Sequence, residues 1–252
     1  VGDDKKYPVI EVFGPTIQGE GAMAGRPTHF IRMGGCDYRC HWCDTEYAVI
    51  PEQVRKNAKK LTYLEITEQV MALPQGPEWV TLSGGNPALH QLDSVVIDLH
   101  RNQFKVAVET QGSMWKPWLT KVDQLTISPK PPSSRMHSIK NLQLLEEFME
   151  SMMQQYPIES RVCLKIPVIG DEDYEFAIMV HGRYKKIPFY FSVVTKMGGL
   201  YGDFAEGEID TRDTLLDRYR WLAERIAGDA RARTTTALPQ LHALLWGHGR
   251  GF

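Results

Sequence analysis

The sequence predicts an α/β fold built on a parallel sheet, open or partly closed, and three observations predict it. Short strand-like runs recur along the chain, segments of helical period lie between them, and polar and glycine-rich residues gather just after the runs. The runs are Val9–Phe13, His29–Met33, Trp79–Ser83, Lys105–Glu109, Gln124–Ser128, Arg161–Pro167, Pro188–Val194 and Arg233–Leu238. Between them the apolar period changes to about 3.6 residues. Leu145, Phe148, Met149, Met152 and Met153 fall on one helical face, and Leu215, Tyr219, Leu222 and Ile226 on another. The methionines of the first face suit core packing or a subunit contact better than a flexible groove. Alternating strand and helix is the pattern of a parallel sheet.

The residues after the runs carry the chemistry. The His29 run leads into a cysteine loop, the Trp79 run into Ser83-Gly84-Gly85-Asn86-Pro87, and the Lys105 run into Glu109-Thr110-Gln111-Gly112. Ser128-Pro129-Lys130 follows the Gln124 run, and Gln240 and His242 follow the last. Ligands of parallel α/β folds bind at the C-terminal edge of the strands, so these loops are expected to face one site. Pro129–Ser134 and Met197–Thr211 read as further loops, the second a candidate mobile lid. Neither has the length of an interdomain linker, and residues 1–252 are read as a single domain.

Composition excludes several classes. The 252 residues hold 29 Lys+Arg against 31 Asp+Glu, a net charge of −2, with no basic block to grip nucleic acid. No run approaches the roughly 18 apolar residues of a membrane span, and charged Val1–Lys6 leads into no apolar export segment. No membrane partner is expected. Three of the four cysteines, Cys36, Cys40 and Cys43, lie within one short loop while Cys163 stands apart in an apolar run. Such a cluster is metal-binding or redox chemistry in a reducing cytoplasm rather than a disulfide framework. Cys163 reads as a small buried hydrophobe.

Three thiolates leave the fourth ligand open. A structural zinc site would close its tetrahedron with His41, whose place between two of the cysteines strains that arrangement. An iron-sulfur cluster normally takes four cysteines, so three leave one iron for an outside ligand.

The C-x3-C-x2-C spacing, with Trp42 before the last cysteine, resembles the radical S-adenosylmethionine superfamily. Thr16-Ile17-Gln18-Gly19-Glu20-Gly21, Phe30-Ile31-Arg32, Gly35 to Cys40, Trp42-Cys43-Asp44-Thr45 and Pro239-Gln240-Leu241-His242 are similar to the 7-carboxy-7-deazaguanine synthase family within it. The resemblance runs from about Val9 to the C-terminus. It implies the modified, incomplete (β/α) barrel of radical S-adenosylmethionine enzymes. It also implies conversion of 6-carboxy-5,6,7,8-tetrahydropterin to 7-carboxy-7-deazaguanine with loss of ammonia, in queuosine and 7-deazapurine biosynthesis.

By the same resemblance, Cys36, Cys40 and Cys43 hold a [4Fe-4S] cluster. Trp42, Asp44, Gly84, Gly85, Glu109, Ser128, Pro129 and Lys130 surround S-adenosylmethionine, and Thr45 is a magnesium ligand. Hydroxyl oxygen suits that hard ion, although Asp44-Thr45 also reads as a helix cap. Ile17, Gln18, Gly19, Glu20, Arg32, Ser83, His242 and the C-terminal Phe252 face the substrate. Amide and carboxylate match the edge of an aminopyrimidinone, and Arg32 offers a planar fork to a carboxylate. Asn86 stands where the superfamily commonly has Glu. An electron-donor protein such as flavodoxin or ferredoxin and a homodimer are further implied. The competing readings are a glycyl-radical-enzyme activase of the same superfamily and a zinc-binding module.

Overall fold

β-branched and aromatic runs too short for helices pair laterally here, and their helical connections cover one face of the result. The computed structural model describes residues 5–155, 161–195, 210–247, 249 and 251. Among them are β1 (Tyr7–Ile17), β2 (Pro27–Met33), β3 (Lys59–Leu61), β4 (Trp79–Gly84), β5 (Lys105–Thr110), β6 (Gln124–Ile127), β7 (Val162–Val168), β8 (Phe189–Val193) and β9 (Thr235–Leu238). They form one sheet in the order β3-β1-β2-β4-β5-β6-β7-β8-β9. From β2 to β9 every neighbouring pair is parallel.

All eight expected strands are present, with corrections. β1 continues four residues beyond the expected Phe13, through Gly14-Pro15, by shifting register against β2 between Phe13 and Thr16. It is also antiparallel to β2 and to the unforeseen β3, so this end of the sheet is mixed. Three-residue β3 is too short to show a period, and its exposed Lys59 and Lys60 suit an edge that must not pair with another chain.

The helices are α1 (Glu46–Val49), α2 (Pro51–Asn57), α3 (Tyr63–Met71), α4 (Asp93–Arg101), α5 (Ile139–Gln155), α6 (Asp171–Arg183), α7 (Arg212–Ala227) and α8 (Leu241–Trp246). Local chemistry starts two of them: Thr62 and Glu65 form a capping box on α3, and Thr211 accepts from the Thr214 amide at the head of α7. Their apolar stripes join the strands in one core, including Ile66 and Val70 of α3, Leu99 of α4, Phe148 and Met149 of α5, Tyr174 of α6 and Leu222 of α7. Met149 and Met152 are buried as expected, but Met153 is 51% exposed. It stands eight residues after Leu145, about 80° around the helix and off the stripe. The Met197–Thr211 lid falls mostly outside the described residues; Thr211 is the cap just noted. No helix among the described residues is long and apolar enough to cross a membrane.

Strand alternation divides the side chains of β2: Ile31 and Met33 enter the core, whereas Arg32, with 15% of its side chain exposed, faces the opposite side. That second face is not covered by helices alone. The turn after β1 lies across it, with Gly21 against Thr126 of β6 and Cys163 of β7. The sheet is thus partly closed by the connection between its first two strands.

Leu164, fully buried at the centre of β7, gives a measure of the core. Leu164→Ala is expected to lower unfolding stability by about 2–5 kcal/mol, read as a fall in the urea midpoint.

Candidate active site

The loops at the C-terminal edge and the turn after β1 enclose a cleft of about 510 Å³. Cys36, Cys40, Trp42, Cys43, Asp44 and Thr45 line it from the loop after β2, and Ser83, Gly84 and Gly85 from the end of β4. Glu109 comes from β5, Ser128 and Lys130 from the loop after β6, and Ile17, Gln18, Gly19 and Glu20 from the end of β1. His242 of α8 completes the wall, with Gly247, Gly249 and Gly251 beyond it. Pro129 instead lines a small adjoining recess with Gln111 and Lys130. Phe252 lies outside the described residues, though Gly251 beside it reaches the cleft.

The cysteine loop is seated by backbone contact. Gly85 N–H donates to the Met33 carbonyl at 3.0 Å, Asn86 N–H to the Gly35 carbonyl at 2.8 Å, and Gly35 N–H to the Ala48 carbonyl at 2.7 Å. A Cβ on Gly85 would lie 1.9 Å from the Gly35 oxygen, and one on Gly84, at φ +114°, 2.3 Å from the Met33 oxygen. The glycines are therefore required by the neighbouring backbone as well as by any ligand. A second support comes from the loop after β6: His41 N–H donates to the Ser134 carbonyl at 2.9 Å, and Trp42 Nε1 to Ser133 Oγ at 2.9 Å.

Asn86, fully buried, uses its whole side-chain amide in this framework. Its Nδ2 donates to Asp37 Oδ1 at 2.9 Å and Ser113 Oγ at 3.2 Å, while Oδ1 accepts from Thr110 Oγ1 at 2.8 Å and Ala88 N–H at 3.1 Å. Gln111 Nε2 donates to the same Asp37 oxygen at 2.5 Å and lies 3.7 Å from Cys36 Sγ. The negative charge sits on Asp37 of the cysteine loop, and residue 86 supplies donors to it. That is the physical sense of an amide at this position.

The thiols suit a positively charged centre. Burial pushes Cys40 and Cys43 up to about 12, with nearby acidic groups adding to it, and Cys36 is raised mainly by burial, against which Lys130 and Arg39 act. Desolvated thiols of this kind ionise when a metal cation is placed among them. Among the described residues no three His, Cys, Asp or Glu side chains, the three loop cysteines included, converge into a group that could hold a metal ion, and His41 does not line the cleft. Thr45 occupies the N-cap position of α1 without making a cap bond; its hydroxyl lies 3.8 Å from Cys43 Sγ and faces the cleft. Lys130 donates to buried Ser128 Oγ at 3.0 Å and stands over the Trp42 ring.

Across the cleft, Arg32 is held by groups that sequence reasoning passed over. Its Nε donates to Glu11 at 2.6 Å, Tyr47 O–H donates to the same oxygen at 3.1 Å, and the guanidinium lies between the Phe13 and Tyr47 rings. Gln18 turns inward, its Oε1 accepting from the Gly19 amide at 2.7 Å. Gly19 leaves room for His242: a Cβ there would lie 2.2 Å from its Nδ1. Glu20 and Glu109 meet at Lys165, a residue not anticipated as part of the site, at 3.0 and 2.5 Å. A lysine inside the otherwise apolar run Val162–Val168 was the available signal, since a buried ammonium needs partners.

The Asn86 network generates a prediction. Asn86→Asp sets a second carboxylate against Asp37 and removes two donors, so stability to urea is expected to fall by about 1–3 kcal/mol, with unchanged stability as the contrary result.

No protein-family profile matches the chain. It is 41% identical to the 7-carboxy-7-deazaguanine synthase of Bacillus subtilis (strain 168), over 98% of this chain and 99% of that one. It is 38% identical to the synthase of Bacillus cereus over the same shares, 98% and 99%. Among solved structures it is similar to QueE from Escherichia coli, with TM-score 0.64 and 20% identity over 94% of this chain and 95% of that chain. Streptococcus suis SuiB bound to S-adenosylmethionine is similar at TM-score 0.53 and 13% identity, over 84% of this chain and 50% of that chain. These two likenesses speak for the fold, the incomplete α/β barrel of radical S-adenosylmethionine enzymes. The close relatives, matched end to end, say more: the chain belongs to the 7-carboxy-7-deazaguanine synthase family.

Proposed function

We propose that this chain converts 6-carboxy-5,6,7,8-tetrahydropterin to 7-carboxy-7-deazaguanine with loss of ammonia, as a radical S-adenosylmethionine enzyme. One observation carries the reading: the cysteine loop and the Gln18–Glu20 segment, delivered by different strands, line a single cleft. When bound, a [4Fe-4S] cluster and S-adenosylmethionine supply hydrogen-abstracting radical chemistry. Cys36, Cys40 and Cys43 hold the cluster, and Trp42, Asp44, Gly84, Gly85, Glu109, Ser128, Pro129 and Lys130 hold the cofactor. Lys130 would give an ammonium that suits the cofactor's carboxylate, and the glycines keep that part of the cleft free of side chains.

The opposite wall reads the substrate. Gln18 and Glu20 offer an amide and an acceptor to the aminopyrimidinone edge, while Arg32, with Nε already tied to Glu11, turns its remaining N–H groups to the carboxylate. Ile17, Gly19, Ser83 and His242 complete that surface. Thr45 would supply a hard oxygen to Mg²⁺. The task of these residues is orientation: a carbon held beside the radical reacts, and one displaced by about 1 Å does so far more slowly. The chain acts as one cytoplasmic domain in a homodimer and receives its electron from a flavodoxin or ferredoxin.

Anaerobic turnover of the carboxylated pterin by the reconstituted protein tests the reading. With substrate deuterated at C6, label is expected in 5′-deoxyadenosine; product formed without that transfer contradicts the abstraction step, and cofactor cleavage with no pterin turnover favours the activase. A separate set addresses the thiols. Ala at Cys36, Cys40 or Cys43 should abolish the visible absorption and iron content of the cluster, whereas Cys163→Ala, deep between Thr126 and the turn after β1, should keep both; full loading of Cys40→Ala would overturn the ligand assignment.

A further inference from the structure

Lys165 is 3% exposed on β7, and no role assigned above uses it. Its ammonium donates to Glu20 Oε2 at 3.0 Å and to Glu109 Oε1 at 2.5 Å. One positive charge between two carboxylates leaves a net negative charge at the inner end of the cleft. The carboxylates come from different parts of the chain and meet at one ammonium: Glu20 follows Gln18 and Gly19, the segment proposed above to read the substrate, and Glu109 lies on β5 among the residues proposed to hold the cofactor. Glu20 is already bound at its other oxygen, which accepts from Ser192 Oγ at 2.9 Å and Gln240 Nε2 at 3.2 Å. The charged or titratable groups facing this cluster are Lys165 and Cys163 of β7, Glu109 of β5 and His242 of α8.

We infer that Lys165 is a positioning residue for both ligands, the shared counter-ion that fixes Glu20 as an acceptor for the substrate and Glu109 as one for the cofactor. The inference rests on the pterin reading above. Burial by itself would raise the Glu20 carboxyl, but the charges of Lys165 and His242, with hydrogen bonds from Lys165 and Ser192, outweigh it and hold Glu20 at about 2. Burial pulls Lys165 down, yet its two carboxylates raise it well above the ordinary lysine range. The group is therefore charged throughout the neutral range. Without it, two carboxylates sharing one buried site repel until one takes a proton. A protonated carboxyl presents a donor where the N–H edge of an aminopyrimidinone needs an acceptor. Glu20 would then serve its ligand only above a raised pKa, and pterin affinity would be lost as pH falls.

The test is equilibrium titration of cluster-reconstituted protein with 6-carboxytetrahydropterin and, separately, with S-adenosylmethionine, between about pH 6 and about pH 8.5. Each variant's Kd is read as a ratio to wild type at the same pH, so that contributions common to both, that of His242 among them, cancel. In Lys165→Met the pterin Kd should rise as pH falls, by up to about tenfold per unit below the new pKa. Adding Glu109→Gln to that variant should move the inflection to lower pH, because the neighbouring negative charge has gone. Lys165→Arg keeps the charge and its ratio to wild type should not change with pH, a result that can be read even where Lys165→Met does not fold. A Lys165→Met profile superimposed on wild type, an inflection unmoved by Glu109→Gln, or a sloping Lys165→Arg profile overturns the inference. If wild type binds no pterin at any pH, the functional reading fails, and the S-adenosylmethionine titration of the same variants decides for Lys165 through Glu109.

Discussion

The approach of Gly85 to Gly35 sets the geometry of the whole site. Two backbone segments meet there with no room for a Cβ, and amide to carbonyl bonds lock them together. The cysteine loop is consequently a rigid extension of β2 and β4, the strands whose C-terminal ends it leaves and touches. Rigidity matters because a loop whose backbone is already held by its neighbours loses less conformational freedom when a ligand binds. Asp37, Asn86 and Gln111 then carry the same alignment across to β5, so that Glu109 and the cysteines hold one frame.

The opposite wall is built on another principle. Arg32 and Lys165 are cations inside a protein, and each is kept there by carboxylates: Glu11 for the first, Glu20 and Glu109 for the second. Removing one partner from a buried pair typically costs about 3–5 kcal/mol because a charge is left unanswered. Charge balance thus joins the stability of the cleft to its chemistry, and side chains that read a ligand also neutralise one another in its absence.

Much of this was legible from residue order alone. The eight main strands were visible because each is a β-branched or aromatic run bounded by turn residues. The gathering of the cysteine, Gly84-Gly85, Glu109, Ser128 and His242 segments followed from their positions after parallel strands. Strand direction at the first edge was not legible: Gly14-Pro15 reads as a stop, whereas a register shift carries β1 through it. Met153 was placed on the apolar face because a methionine's chemistry says nothing of its angle around a helix. Lys165 was hidden for a different reason. Its partners lie 145 and 56 residues away, and only the folded sheet brings them to it; the local oddity of a lysine among Val, Leu and Ile was the sole trace. Asn86 was seen as a departure, but its meaning required Asp37, which no spacing rule links to it.

The turn after β1 leaves one end of the sheet and reaches β6, β7 and β8 near the other. It acts as a tie-rod across an arch: the sheet's curvature is held at that point by a carboxylate on an ammonium and a hydroxyl rather than by a ladder of strand hydrogen bonds. An open sheet closed in this way has its shape and its ligand recognition written into the same few residues. Substitutions that retune what the cleft accepts at Glu20 therefore also retune how tightly the arch is drawn, whereas Arg32, tied to Glu11 of β1, bears on the pairing of the first two strands and not on that span.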